Sequence, residues 1–169
     1  MANIEFTRQF ILASEGGFSN NVLDSGGATN KGITLGTFRY YYGSKKTAND
    51  LKNITDKQWL DIFRRGYWNK WKADEIASDK VALVLVDWIF NSGSACIRLA
   101  QQAIGTTADG IVGSQTIAKI NSQDSEALYR KLMERRNKYY VSIVKNKSSQ
   151  LAFLEGWENR LLRLAFYAK

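Results

Sequence analysis

Apolar residues along this chain recur mostly at helical spacing, and strand-like alternation is scarce. Ile4, Phe6, Phe10, Ile11 and Ala13 predict an amphipathic helix over residues 3–14, started by Asn3 or Thr7 as its cap. Gly16-Gly17 stops that helix, because glycine enters the left-handed region at little cost. A short aromatic helix is predicted over 35–42, then a polar loop over 43–49. Thr55-Asp56-Lys57-Gln58 reads as a capping box before a helix carrying Trp59, Leu60, Ile62 and Phe63, which runs on into Tyr67, Trp68 and Trp71. Asp79 caps a segment over 80–90 that is apolar almost all round, and such a helix belongs at the buried centre of a fold. Helix resumes over 96–104 and stops at Gly105, and residues 109–116 form a turn in which Gly113 and Ser114 lead into another helix. Amphipathic helices over about 125–144 and 149–167 complete the chain. The expected fold class is mostly α, with no linker, low-complexity tract or internal repeat.

Within this pattern, Glu15 stands out. It is placed in the last turn of the first helix, where a negative side chain opposes the helix dipole and a cation would be favoured. The dipole, together with burial in a cleft, disfavours the charged form, as a general acid working near neutral pH requires. Asp24, Gly26-Gly27, Thr29 and Gly32-Ile33-Thr34 follow in a short glycine-rich loop. A carboxylic acid with a second polar group across from it is the arrangement used to break glycosidic bonds. Asp24 and Thr29 are candidates to hold a water, or Asp24 to stabilise a sugar cation; the plainer reading is that Asp24 caps the turn and Thr29 packs. Phe18, Tyr67 and Trp68 are candidate sugar contacts, although aromatic residues more often fill cores. Asp87 and Asn91 lie one helical turn apart on one face, where they either brace the catalytic loop or line the groove floor, the bracing role being favoured.

Composition removes most other chemistries. The chain has 169 residues, no histidine and one cysteine, so Ser-His-Asp catalysis, histidine-based metal sites and internal disulfides are excluded. Cys96 has no histidine to activate it and reads as a small buried residue. Neither a phosphate-binding loop nor a dinucleotide fingerprint is present. No cofactor or metal is expected. A net charge of +8 suggests an anionic partner such as nucleic acid, anionic lipid or a cell-wall polymer. Against nucleic acid, the basic residues are spread out and no helix-turn-helix, zinc or RNA-binding signature occurs. The densest cluster, Arg130, Lys131, Arg135, Arg136, Lys138, Lys145 and Lys147, looks like the wet face of a helix. Met1 to Glu5 has neither a basic nor an apolar leader region, so no signal peptide is expected, and the apolar run at 81–86 is too short to span a membrane. The expected protein begins in the cytoplasm without stable membrane insertion, and reaching a wall substrate would require another component.

Taken together, Glu15-Gly16-Gly17-Phe18, Asp24-x-Gly26-Gly27-x-Thr29-x-x-Gly32-Ile33-Thr34, Gly66-Tyr67-Trp68, Asp87-x-x-x-Asn91-x-Gly93 and Gly156-Trp157-x-x-Arg160 resemble the N-acetylmuramidases of glycoside hydrolase family 108. Some members of that family are labelled putative secretion activators. The segment over 109–116 resembles the helical peptidoglycan-binding module at the C-terminal end of that family. The resemblance implies a lysozyme-like multi-helix catalytic part over 1–94 and a helical peptidoglycan-binding-like part over 95–169, packed as one unit. It implies that Glu15 is the catalytic acid, that the partner is the peptidoglycan glycan strand, and that the protein acts in the periplasm or cell wall, with a holin-type pore as one conceivable exit. The order Glu15, Asp24, Thr29 is also similar to that of phage-type lysozymes, with the Asp24-to-Thr29 spacing one residue shorter. Two rival readings accompany it: a lytic transglycosylase, and a catalytically inactive peptidoglycan-binding or secretion-accessory protein.

Overall fold

The structure is a computed structural model that describes residues 1–20 and 27–168. The first helix, α1 (Ile4–Ser14), buries Thr7, Phe10 and Ile11 and is capped by Asn3, whose side chain accepts from the Glu5 amide. A tight hairpin follows, β1 (Thr29–Asn30) paired antiparallel with β2 (Ile33–Thr34). Its turn residues Lys31 and Gly32 both have positive φ (49° and 76°), the backbone twist that a two-residue hairpin connection requires. The hairpin is fastened from behind: Asn30 donates to the Leu51 and Lys52 carbonyls, and the Trp59 indole donates to the Lys31 carbonyl at 2.9 Å.

Next come α2 (Leu35–Tyr42), α3 (Ala48–Lys52) and α4 (Asp56–Phe63). The expected capping box at Thr55 and Gln58 is present. The expected polar loop over 43–49 is shorter than predicted, because a second capping box at Thr47 and Asp50 starts α3 inside it. After Phe63 the backbone widens into a π-helical turn (Arg64–Trp68) and then tightens into 3₁₀ turns (Asn69–Trp71 and Ala73–Glu75). These irregular turns sink Trp68 and Trp71 fully into the core.

The central helix is α5 (Asp79–Ser92), in which every residue from 81 to 89 is buried. Its cap is Ser78, which accepts from the Val81 amide, and not Asp79; the Asp79 carboxylate instead accepts from the Asn3 amide and ties α1 to α5. Around it pack α1, the π-helical turn, α6 (Cys96–Ile104) and α8 (Ser125–Asn146), with α7 (Ser114–Asn121) against α6 and α9 (Leu151–Tyr167) across α8 and α1. Gly105 ends α6 in the left-handed conformation, as expected. In the turn before α7, the buried Gln101 side chain bonds Asp109, the Gly110 amide and the Ile111 carbonyl. Four fully buried tryptophans, Trp59, Trp68, Trp71 and Trp88, anchor the core. Burial of a large apolar side chain is worth about 1.5–3 kcal/mol, which explains why a chain with so few strands folds around this aromatic centre. The fold is mostly α-helical, as the apolar spacing predicts.

Candidate active site

The last helical bond of α1 runs from the Glu15 amide to the Ile11 carbonyl at 3.0 Å. Glu15 itself is extended (φ −96°, ψ 148°), so the chain leaves the helix at this residue and carries its side chain over the helix end. The glycines after it do not act as the sequence suggests. Neither Gly16 nor Gly17 has positive φ, and a Cβ on either would meet nothing within 4 Å. The glycine this site requires is Gly32. Its φ of 76° disfavours any side chain, and a Cβ there would lie 2.6 Å from Phe90 Cε1 and 2.9 Å from Glu15 Cδ. The hairpin turn therefore lies directly on the Glu15 carboxyl group.

A cation stands at the helix end, supplied from 145 residues away. Arg160 of α9 donates from Nη1 to Glu15 Oε1 at 2.7 Å. The same guanidinium donates from Nη2 to Asp87 Oδ1 at 2.7 Å and from Nε to both Asp87 oxygens at 3.1 Å. Arg136 of α8 adds a bond to Asp87 Oδ2 at 2.7 Å, its Nε donates to the Tyr140 hydroxyl at 2.8 Å, and that hydroxyl donates to Asn91 Oδ1 at 2.9 Å. Exposure rises along the network: the side chains of Arg136 and Asp87 are 0% exposed, Arg160 10% and Glu15 19%. Glu15 Oε2 receives no hydrogen bond from a described residue.

The network's electrostatics follow from this geometry. Burial by itself would raise the Asp87 carboxyl, but the charges and hydrogen bonds of Arg136 and Arg160 outweigh it and hold the group below the ordinary carboxylate range. Burial works against the Arg160 charge in the same way, and Asp87 and then Glu15 outweigh it, raising the guanidinium above its ordinary value. Tyr67 lies near Glu15 and packs tilted against Phe90 with ring centroids 4.7 Å apart. Its hydroxyl is raised by burial first, then by Tyr41 and by the negative charge of Glu15. Burial likewise pushes the Cys96 thiol up to about 12, which agrees with an inert buried cysteine.

Glu15, Asp87, Asn91 and Tyr67, expected from sequence, thus converge on one region. Asp87 and Trp68 need correction as ligand contacts. Both are wholly buried: Asp87 is enclosed by two arginines, and the Trp68 indole donates to Asp74 at 2.9 Å. Asp87 is bonded to α8 and α9 through Arg136 and Arg160. Phe18 is half-buried with the Lys52 ammonium 5.8 Å from its ring centre, and Thr29 bonds through its backbone to Ser19. Asp24 lies outside the described residues. Arg136 is no part of a wet helix face; it sits in the buried column Leu128, Leu132, Arg136, Tyr140, each four residues from the last. That spacing was readable in the sequence and marks the residue as inward-facing. Arg160 had a subtler signal: it lies between Trp157 and Leu161 on the inward stripe of α9. Among the described residues no group of three or more His, Cys, Asp or Glu side chains is placed to hold a metal ion.

A partly exposed glutamate thus lies at a helix end, held on one oxygen by Arg160. The chain belongs to the Glycosyl hydrolase 108 family, whose model matches residues 8–93. Residues 95–162 match the model described as a Predicted Peptidoglycan domain, which overlaps the C-terminal helices. The solved structure of Brucella abortus SagA is similar over 97% of this chain and 93% of its own, with 29% identity and a TM-score of 0.82. No curated protein matches the chain. Membership of the family supports glycosidase activity in general terms. No described helix is long and apolar enough to cross a membrane.

Proposed function

We propose that this protein hydrolyses peptidoglycan glycan strands as an N-acetylmuramidase, cutting the β-1,4 bond between N-acetylmuramic acid and N-acetylglucosamine. Glu15 is the general acid. The observation that carries this is the asymmetric clamp on its carboxyl group, in which Arg160 holds Oε1 at 2.7 Å and fixes the group in position, while Oε2 has no donor among the described residues. Asp87, fixed by Arg136, orients Arg160 in turn, so the acid is aimed by a rigid buried lattice. Gly32 and Phe90 close the near wall and limit the rotamers of Glu15. Asp24, with Thr29, positions water or stabilises the sugar cation. Tyr67, half-buried beside Phe90, offers a partial ring face to the sugar.

In this reading residues 1–94 carry the acid, and residues 95–169 both engage the wall polymer and complete the site through Arg136 and Arg160. The enzyme acts in the periplasm or cell wall after release, and a holin-type pore suits a chain exported in that way. Net charge of +8 draws it to anionic wall polymers, more strongly at low salt.

The test is clearing of purified sacculi by wild type and by Glu15→Gln, with the melting temperature of both recorded. Clearing by wild type alone, with equal melting, is the expected result. Equal clearing by both would remove Glu15 from the chemistry. Binding without clearing by either folded protein would favour the inactive wall-binding reading. Product masses separate hydrolysis, which adds water, from transglycosylation, which does not.

A further inference from the structure

Beside the Glu15 clamp, a cavity of about 380 Å³ opens between the end of α1, the end of α5 and α9 from Ala152 to Arg163. Its size is within the range of small-ligand sites, roughly 300–1,000 Å³. It is continuous with the catalytic region: Ser14 in its wall precedes Glu15, and Arg160 in its wall touches the Glu15 carboxylate at 2.7 Å. One side is a row of rings. Phe153 and Trp157 stack with centroids 6.1 Å apart, and Trp157 stacks on Tyr140 at 5.0 Å. Phe153 is 55% exposed, so its ring is open to a ligand. The other side is polar, with Ser14, Asn91 and Asn159.

The charge of this cavity is one-sided. Among the described residues no acidic side chain lines it, and both charged residues in its wall are arginines. Arg160 is engaged by Asp87 and Glu15. Arg163, one helical turn further along α9, is exposed and makes no ion pair or hydrogen bond with a described residue. The other basic groove, between α6 and α8, also has a cation without a described partner, Lys131, but it has no aromatic residue among its described lining and carries the acidic Glu134 in its wall.

Resting on the glycan-hydrolase reading above, we propose that this cavity is a binding subsite for a carboxylate-bearing sugar of the glycan strand, with Arg163 pairing the carboxylate and the Phe153–Trp157 row taking a sugar face. An arginine fork matches a carboxylate in two parallel bonds, and an aromatic row accepts the apolar face of a pyranose. In peptidoglycan the carboxylate has two sources, the lactyl group of the muramic sugar or the peptide attached to it. The subsite takes the shared chemistry, and experiment separates the sources.

The test uses the full chain in the Glu15→Gln form, so that ligands survive titration. Three probes are compared by calorimetry: glycan oligomers bearing stem peptides, the same strands stripped by an amidase to leave lactyl carboxylates, and N-acetylglucosamine oligomers with no carboxylate. Carboxylate-bearing strands should bind about tenfold more tightly than the neutral oligomer, the scale of one charged hydrogen-bonded contact. Arg163→Gln in the same background should erase that margin and leave neutral-oligomer binding unchanged, and Arg163→Lys should restore part of it. A margin kept by stripped strands assigns the lactyl group; a margin present only with peptides assigns the peptide. An undiminished margin in Arg163→Gln overturns the subsite while leaving the hydrolase reading intact. Failure of the folded protein to bind any of the three overturns both.

Discussion

Two carboxylates share one arginine in this protein, and they differ in almost every other respect. Asp87 is fully enclosed, with both oxygens bonded by Arg136 and Arg160. Glu15 is at the cleft edge, with Arg160 on one oxygen and no described donor on the other. A carboxylate whose lone pairs are all engaged is a structural anchor, because protonating or moving it breaks several bonds at once. A carboxylate held on one side only is fixed in position and still has an oxygen for chemistry. Type of residue and ion-pair partner do not separate these roles; the number of bonded oxygens and the access to solvent do.

Replacing each member of the pair gives opposite signatures. Glu15→Gln keeps the size and one acceptor oxygen for Arg160, so melting should be unchanged while turnover falls by about 10²–10⁴-fold, the usual worth of a positioned acid. Sacculus clearing alongside calorimetry checks this. Asp87→Ala leaves two buried arginines facing each other and should cost about 3–5 kcal/mol of stability, read from urea unfolding. If it unfolded no more easily than wild type, the anchor role would be wrong.

Gly32→Ala probes the wall between the two. A left-handed alanine costs about 1–2 kcal/mol, and its methyl group would press on Phe90 and on the Glu15 carboxyl carbon, 2.6 and 2.9 Å from an ideal Cβ. Loss of activity should therefore exceed what the fall in melting temperature accounts for. An alanine variant with normal specific activity would show that the hairpin does not help to aim Glu15.

Acid dependence sharpens the comparison further. The folded-state carboxyl of Asp87 is depressed relative to the unfolded chain, so its contribution is fully present above the unfolded value of about 3.9 and is lost as pH falls through the folded value. Urea midpoints of wild type should lose this component only below about pH 4, and Asp87→Asn should lack that part of the acid fall. The smallest effect is expected at Glu134, which pairs with Lys138 on the exposed face of α8. Glu134→Gln should alter neither clearing nor melting, because an exposed ion pair is screened and its side chains pay entropy to meet.

Much of the fold was legible because its signals are local. The boundaries of α2 and α6, the capping box at Thr55 and the burial of α5 follow from residues within a few positions of each other. The departures from the sequence pattern are also local. The capping box at Thr47 starts α3 inside the expected polar loop, and Gly16-Gly17 makes no left-handed turn. Trp68 and Arg136 both point into the core: the π-helical turn sinks Trp68, and Arg136 follows the four-residue buried column of α8 despite its charge.

The sequence by itself determined a helical protein with a buried central helix and an acid at the end of α1, because hydrophobic period, caps and breakers act over one or two turns. Only the tertiary structure decided what that acid meets. Periodicity tells which face of a helix turns inward but not which distant residue it will find there. The Glu15–Arg160 contact spans 145 residues and the Asp87–Arg136 contact 49, and both exist because α9 and α8 pack across the ends of α1 and α5.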